Sequence, residues 1–206
     1  MTFAKRIFDL VIALLLAVIL ALPFALLLLW LLLRDGRPLF YLSERMKTPD
    51  QPFRLWKLRT MTVVSEAQNT GVSGADKAAR VTATGRLLRR FRLDEIPQLW
   101  NVIRGDMSFV GPRPPLRLYT ERFPALYAEV LKTRPGITGL ASLVFHRHEE
   151  RLLQRGTTPE ETDAIYSRHC VPRKAALDLI YLRHRSVCYD LVLMFRTVAK
   201  VAGRRK

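Results

Sequence analysis

Asp94 and Glu95 are adjacent carboxylates set behind Arg86, Arg89, Arg90 and Arg92, and they fall in the stretch LDEIPQLWNVIRGDMSFVGPRP at Leu93–Pro114. Paired acids in so basic a setting suit phosphate chemistry. One carboxylate can attack phosphorus, or hold a hard cation such as Mg²⁺, which is usually bound by one or two carboxylates plus substrate phosphate oxygens. Pro97 fits the first turn of a helix, where its missing N–H costs nothing, and Gly105 fits the stop. The spacing therefore predicts Asp94 and Glu95 at a helix N-terminus, where the dipole and the arginines both favour the ionised form. Neighbouring helical residues point about 100° apart, so the two should divide their tasks rather than grip one atom together. The same pattern also describes an ordinary acidic helix cap.

Cations for a phosphate ligand are offered at four further positions. Lys57 and Arg59 alternate in LWKLRTM and share one face of an expected strand, where they would either hold a diphosphate or line a solvent-facing edge. Arg113 lies in Val110–Pro115, whose prolines stiffen the backbone and fix its direction. Arg134 stands beside the Gly/Pro turn Arg134–Leu140. For both, an ordinary turn is the alternative.

The element that would position this chemistry at a surface is the run Leu10–Leu33, which carries no polar side chain. At about 1.5 Å per residue it would reach about 36 Å, against a hydrocarbon core of about 30 Å. Pro23 divides it into two pieces, neither long enough to span alone. A broken helix that enters and leaves by one face is therefore an alternative to a spanning one. Lys5 and Arg6 precede the run and Arg34 and Arg37 follow it; this near-symmetry favours the re-entrant form over the one-sided bias of a spanning helix. A cleaved signal sequence fits less well, because no small-residue cleavage site follows.

The organisation implied is a membrane helix over residues 1–37 and one catalytic domain over 38–206, of a size that needs only a single core. The net charge of +16 admits anionic lipid or nucleic acid as partner. The apolar run favours lipid, and no nucleic-acid-binding motif is present. Cys170 and Cys188 are far apart and suggest neither a disulfide framework nor a zinc site. The tract His146–Glu150 has metal-ligand residue types, but reads better as a charged loop or helix start.

Short extended pieces are expected at Pro38–Tyr41 and Phe53–Met61, and a binding loop or lid over Thr62–Thr84. Leu118–Leu131 reads as one helix, and Thr158-Pro159-Glu160-Glu161 as a helix start. Across Leu177–Ala202, residues including Tyr181, Leu191, Phe195 and Val198 recur at helical spacing and should form one apolar face, packed in the core or lying on a bilayer.

These segments together resemble the monotopic phosphoglycosyl transferases, the bacterial sugar transferases, of small minimal-core type. The resemblance rests on the apolar segment with its internal proline, KLRTM at Lys57–Met61, the block Leu93–Pro114, RPGITGLA at Arg134–Ala141, and LDLIYLRHRS followed by a hydrophobic helix. It implies an α/β, predominantly helical fold: an N-terminal re-entrant membrane helix, a compact cytoplasmic catalytic domain and interfacial amphipathic helices. It further implies transfer of a phospho-sugar from a UDP-sugar to a polyprenol phosphate such as undecaprenyl phosphate, at the cytoplasmic face of the bacterial inner membrane, with release of UMP. Asp94 would be the nucleophile and a ligand of the required Mg²⁺, with Glu95 completing the dyad. Lys57, Arg59, Arg113 and Arg134 would bind substrate. Partners beyond substrates would be membrane lipid, a second copy of the chain and downstream glycosyltransferases.

The sequence departs from the family pattern at Leu22-Pro23, where a serine is common before the proline, at Ser142, where a glutamine is common, and at His184, where an asparagine is common. The last two positions bear on sugar preference. A catalytically silent scaffold for glycan assembly is the alternative function, and the intact Asp94-Glu95 pair argues against it.

Overall fold

The computed structural model describes residues 2–63 and 79–203 and is mostly helical. The expected loop over Thr62–Thr84 lies largely outside these residues. Its described ends are joined by an antiparallel bridge between Met61 and Val81.

Helix α1 runs Phe3–Asp35, with the Thr2 hydroxyl accepting a hydrogen bond from the Lys5 amide at its start and Gly36 at its end. Helical geometry continues through Pro23, so the break expected there is no interruption of the helix. A proline removes one backbone donor and leaves the flanking turns bonded. The helix is long and apolar enough to cross a membrane by length and composition.

Both halves of α1 pack on the rest of the chain. Ile12, Ala13 and Leu16 join a core with Val102, Met107, Tyr181 and Leu193. Phe24, Leu27 and Leu31 join another with Leu58, Leu88 and Leu93. Polar ties lock each end: Lys5 pairs with buried Asp190, and Arg6 donates to the carbonyls of Val102 and Ile103 at 2.6 and 2.8 Å. At the other end Arg59 donates to the Asp35 carbonyl at 2.7 Å, and the Thr84 hydroxyl donates to the Asp35 carboxylate at 3.1 Å.

Strands β1 (Phe40–Met46) and β2 (Pro52–Leu58) form an antiparallel hairpin that sets Tyr41 opposite Lys57. Helix α2 (Ala83–Phe91) follows, capped by Thr82 and closed by Arg92 in the left-handed region at φ 55°. A 3-10 turn at Leu93–Glu95 leads into helix α3 (Gln98–Arg104), which Gly105 stops at φ 86°. Strand β3 (Ser108–Val110) pairs in parallel with β4 (Gly136–Thr138). Gly111 and Gly139 allow the crossing: a Cβ on Gly139 would lie 2.1 Å from the Gly111 carbonyl oxygen.

The single helix expected over Leu118–Leu131 is two, α4 (Arg117–Arg122) and α5 (Pro124–Val130). Pro124 forces Phe123 out of helical geometry, as a proline does to the residue before it. Helices α6 (Leu140–Val144) and α7 (His146–Leu153) follow. Helix α8 (Pro159–Ile165) starts as its sequence predicts, with the Glu161 amide donating to the Thr158 hydroxyl at 3.2 Å. A π-helical turn, Tyr166–Cys170, carries it into α9 (Val171–His184).

The apolar face expected over Leu177–Ala202 is likewise divided, between α9 and α10 (Val187–Ala202), because Ser186 caps a new helix. Tyr181 and Leu193 are buried, whereas Leu191, Val192, Phe195 and Val198 are exposed, Phe195 at 75%.

Candidate active site

Asp94 and Glu95 stand one turn earlier than the sequence predicts. They occupy the 3-10 turn ahead of α3, and no side chain caps that helix, so the pair is not its cap. Both are nevertheless buried, at 7% and 8% exposure. Carboxyls so enclosed must either meet cations or be available for a ligand.

Glu95 meets cations. Arg92 reaches its Oε2 at 2.5 Å, and Arg113 and Lys57 approach its Oε1 at 3.3 and 3.6 Å. The left-handed turn at Arg92 folds its guanidinium back over the residue three places on, where it also donates to the Ile137 carbonyl at 3.2 Å. Burial pushes the Glu95 carboxyl up, but Arg113, Lys57 and Arg92 together outweigh it and hold the group down at about 2. The same Glu95 charge raises Arg113. Burial and the Arg113 charge bring Lys57 down to about 8.

Asp94 is different. Its carboxyl has no hydrogen bond or ion pair among the described residues. Burial pushes its pKa opposite to the sequence expectation, upward from the ordinary carboxylate value, against the pull of Lys57, Arg89 and Arg113. The dipole of a seven-residue helix beginning four residues later does not overcome that enclosure. The adjacent acids thus differ in their surroundings: Glu95 is clamped, and Asp94 is without a bonded partner among the described residues.

Both line a cavity of about 780 Å³, a volume typical of sites that take a sizeable organic ligand. Lys57, Arg59 and Arg113 line it too, with Arg89 and Arg92. Arg59 has a structural task as well, since its guanidinium donates to the carbonyls of Asp35, Gly36 and Arg37 at the end of α1. Arg134 is not among the lining residues; it lies beside Gly105 and Arg6. Ser142 lines the cavity, whereas His184 is exposed and contacts the Ile180 carbonyl at 2.9 Å.

A second group on the same cavity wall was not legible as a site. Lys174 pairs with Glu149 at 2.7 Å and stands 5.1 Å from the centre of the Tyr166 ring. Asp178, on the next turn of α9, is 6% exposed, and its Oδ1 is buried with no partner among the described residues. An acid within Leu177-Asp178-Leu179-Ile180 was the available signal, hidden by the apolar periodicity around it. Among the described residues, no three His, Cys, Asp or Glu side chains gather as a metal cluster, and His146–Glu150 is a helix whose Glu149 serves Lys174.

The family described as bacterial sugar transferase matches residues 1–204. The UDP-glucose:undecaprenyl-phosphate glucose-1-phosphate transferase of Caulobacter vibrioides is 36% identical over 94% of this chain and 68% of its own length. The uncharacterized sugar transferase EpsL of Bacillus subtilis is 34% identical over 96% of this chain and 86% of its own. The UDP-galactose-lipid carrier transferase of Erwinia amylovora is 32% identical over 98% of this chain. The chain spans 41% of that last relative's length, and a similar minor share of several others. The chain belongs to the bacterial sugar transferase family.

Proposed function

We propose that the chain transfers a phospho-sugar from a UDP-sugar to undecaprenyl phosphate, releasing UMP. The observation that carries this reading is the buried Asp94 carboxyl, without a partner among the described residues, in a cation-lined cavity beside a clamped Glu95. The relatives' names supply the substrate classes, UDP-sugars and undecaprenyl phosphate.

An Asp94 oxygen attacks the β-phosphorus of the donor. The bond from that phosphorus to the oxygen bridging to the α-phosphate breaks, and its electron pair leaves with UMP. The phospho-sugar is now an acyl phosphate on Asp94. An oxygen of the lipid phosphate then attacks the same phosphorus, the Asp94 carboxylate departs, and a polyprenyl diphosphate sugar results. Two steps suit a reaction whose donor is soluble and whose acceptor lies in a membrane. Lys57 and Arg113 neutralise the phosphate charge, and Glu95 fixes both cations so that they need not reorganise during the reaction.

The residues fit a Mg²⁺ ion. Asp94 offers one open carboxylate, and the ion would complete its shell with substrate phosphate oxygens and water, the usual arrangement for this metal. When bound it neutralises charge on the diphosphate.

The ties at both ends of α1 support the re-entrant form, which a helix continuous through Pro23 would reach by bending there rather than by breaking. A straight helix of this length reaches about 50 Å, so one that spanned the bilayer would leave its ends on opposite faces. Here Lys5 and Asp35 are both bonded to the catalytic domain. The exposed face of α10, with Phe195 and Val198, suits an interfacial position on the cytoplasmic leaflet.

The test uses the chain in nanodiscs with Mg²⁺, a panel of UDP-sugars and undecaprenyl phosphate. UMP release with at least one donor is expected. Without acceptor, a burst of UMP should accompany a phosphohexose mass on the peptide containing Asp94. No release with any donor overturns the activity, and release without the adduct or burst overturns the covalent route. Cysteines placed at Thr2 and Gly36 should react with an impermeant reagent from the same side; reaction from opposite sides refutes the re-entrant form.

A further inference from the structure

We propose that Asp178 recognises the sugar ring of the donor, its carboxyl bonding hydroxyl groups of the hexose whose phosphate Asp94 attacks. This rests on the transferase reading above. Four observations carry it.

First, Asp178 lines the same cavity as Asp94. It is 6% exposed, and neither carboxyl oxygen has a hydrogen bond among the described residues, with Oδ1 wholly buried. A buried carboxyl without partners is costly to fold around, and a ligand that supplies hydroxyl donors removes that cost. Second, the nearby cation is already engaged: Lys174 is bonded to Glu149 at 2.7 Å and lies 3.3 Å from the Tyr166 hydroxyl. Asp178 is thus not one half of an ion pair.

Third, the two groups differ in charge. Lys174 and Arg45, which interacts with Tyr166, are matched by Glu149 and Asp178, whereas Lys57, Arg89, Arg92 and Arg113 outnumber Glu95 and Asp94 at the other group. A diphosphate therefore favours the cation-rich group and leaves the balanced one to what hangs from it. The two groups adjoin through Arg113, whose charge is stabilised by both Glu95 and Glu149. In a nucleotide sugar the hexose is bonded directly to the β-phosphate, so the ring must occupy cavity next to the reacting phosphorus. Fourth, Tyr127 lines the cavity and interacts electrostatically with Asp178, an aromatic side chain suited to the apolar face of a hexose.

The experiment compares wild type with Asp178→Asn, a substitution of equal shape, in the nanodisc UMP-release assay. It uses a donor that the wild type accepts, UDP as a competitive inhibitor, and donors lacking one ring hydroxyl each. The variant should raise KM for the donor by about tenfold or more, the loss expected for a hydrogen bond to a charged group. Inhibition by UDP, which has no sugar, should stay within about twofold. At least one deoxy donor should lose about tenfold on the wild type and nothing further on the variant.

An unchanged KM overturns the proposal. So does UDP inhibition that weakens in step with KM, which a merely structural Asp178 produces. If the variant folds poorly, the deoxy donors on wild type decide alone: retention of activity by all of them overturns the proposal. Absence of UMP release by the wild type with every donor overturns the transferase reading itself, a result distinct from any of these.

Discussion

Two acid pairs face one cavity, and each has one clamped member and one open member. Glu95 is held by Arg92, Arg113 and Lys57 while Asp94 stays free of such bonds; Glu149 is held by Lys174 while Asp178 stays free of them. The difference lies in the number of cations. Lys57, Arg89 and Arg113 pull the Asp94 carboxyl down against its burial, whereas Asp178 has only Lys174 against burial and the Glu149 charge, and is pushed up to about 7. In the proposed reaction the same residue type would serve two tasks, Asp94 as the group that attacks phosphorus and Asp178 as a hydroxyl acceptor that is only half ionised near neutrality.

The comparison breaks most severely if Asp94 is not the reacting member. Asp94→Asn should lower kcat for UMP release by on the order of 10³-fold or more and abolish the phosphohexose adduct, since no other group can replace a covalent nucleophile. An Asp94→Asn protein that retains a tenth of the activity refutes the assignment.

Glu95→Gln should cost less, on the order of 10²-fold in kcat, because Asp94 remains while Lys57 and Arg113 lose their anchor. Its second signature is in stability. The Glu95 carboxyl is held at about 2 against an ordinary 4.5. A depressed carboxyl contributes stability that is present above the unfolded value and lost as pH falls toward the folded one. Wild type should therefore lose stability between about pH 4.5 and about 2 more steeply than Glu95→Gln, as followed by thermal unfolding.

Lys57 sharpens the comparison at alkaline pH. Its ammonium is brought down to about 8, so the cation, and with it part of the phosphate site, is lost as pH rises through that value. In the free enzyme kcat/KM should fall above about pH 8. Bound diphosphate favours the charged form, so the corresponding fall in kcat should lie higher. Lys57→Arg should remove the alkaline limb from kcat/KM; an unchanged limb in that variant assigns it to another group.

The dyad, three of its four expected cations (Lys57, Arg59 and Arg113, which line the cavity, but not Arg134) and the apolar helix are legible because each is announced locally, by residue types within a few positions. The clamp on Glu95 was only half legible. Arg92 is close in sequence, but its approach depends on a left-handed turn at a non-glycine residue, which propensity argues against. Asp178 was hidden because its meaning arises from what α9 faces, and an acid on an apolar helix has no local mark for that. The helix boundaries at Phe123 and Ser186 were missed for the opposite reason. Pro124 and the Ser186 cap mark these boundaries, but sustained apolar periodicity masks both.

The smallest expected effect separates two arginines that the sequence treats alike. Arg113 and Arg134 each stand beside a proline and glycine turn, yet only Arg113 lines the cavity, with Glu95 at 3.3 Å. Arg134 lies next to Gly105 and Arg6, and Arg6 ties the start of α1 to the last carbonyls of α3. Its burial and the Arg6 charge lower its pKa, while Asp9 and Asp106 raise it. Arg113→Ala should lower kcat/KM for UMP release by on the order of 10- to 100-fold, through loss of a charged phosphate contact. Arg134→Ala should change it by about twofold or less, since a charge outside the cavity acts on substrate only through screened solvent. Equal losses in the two variants would place Arg134 in the substrate path. Equal retention would remove Arg113 from it and leave Lys57 and a bound cation to carry the phosphate.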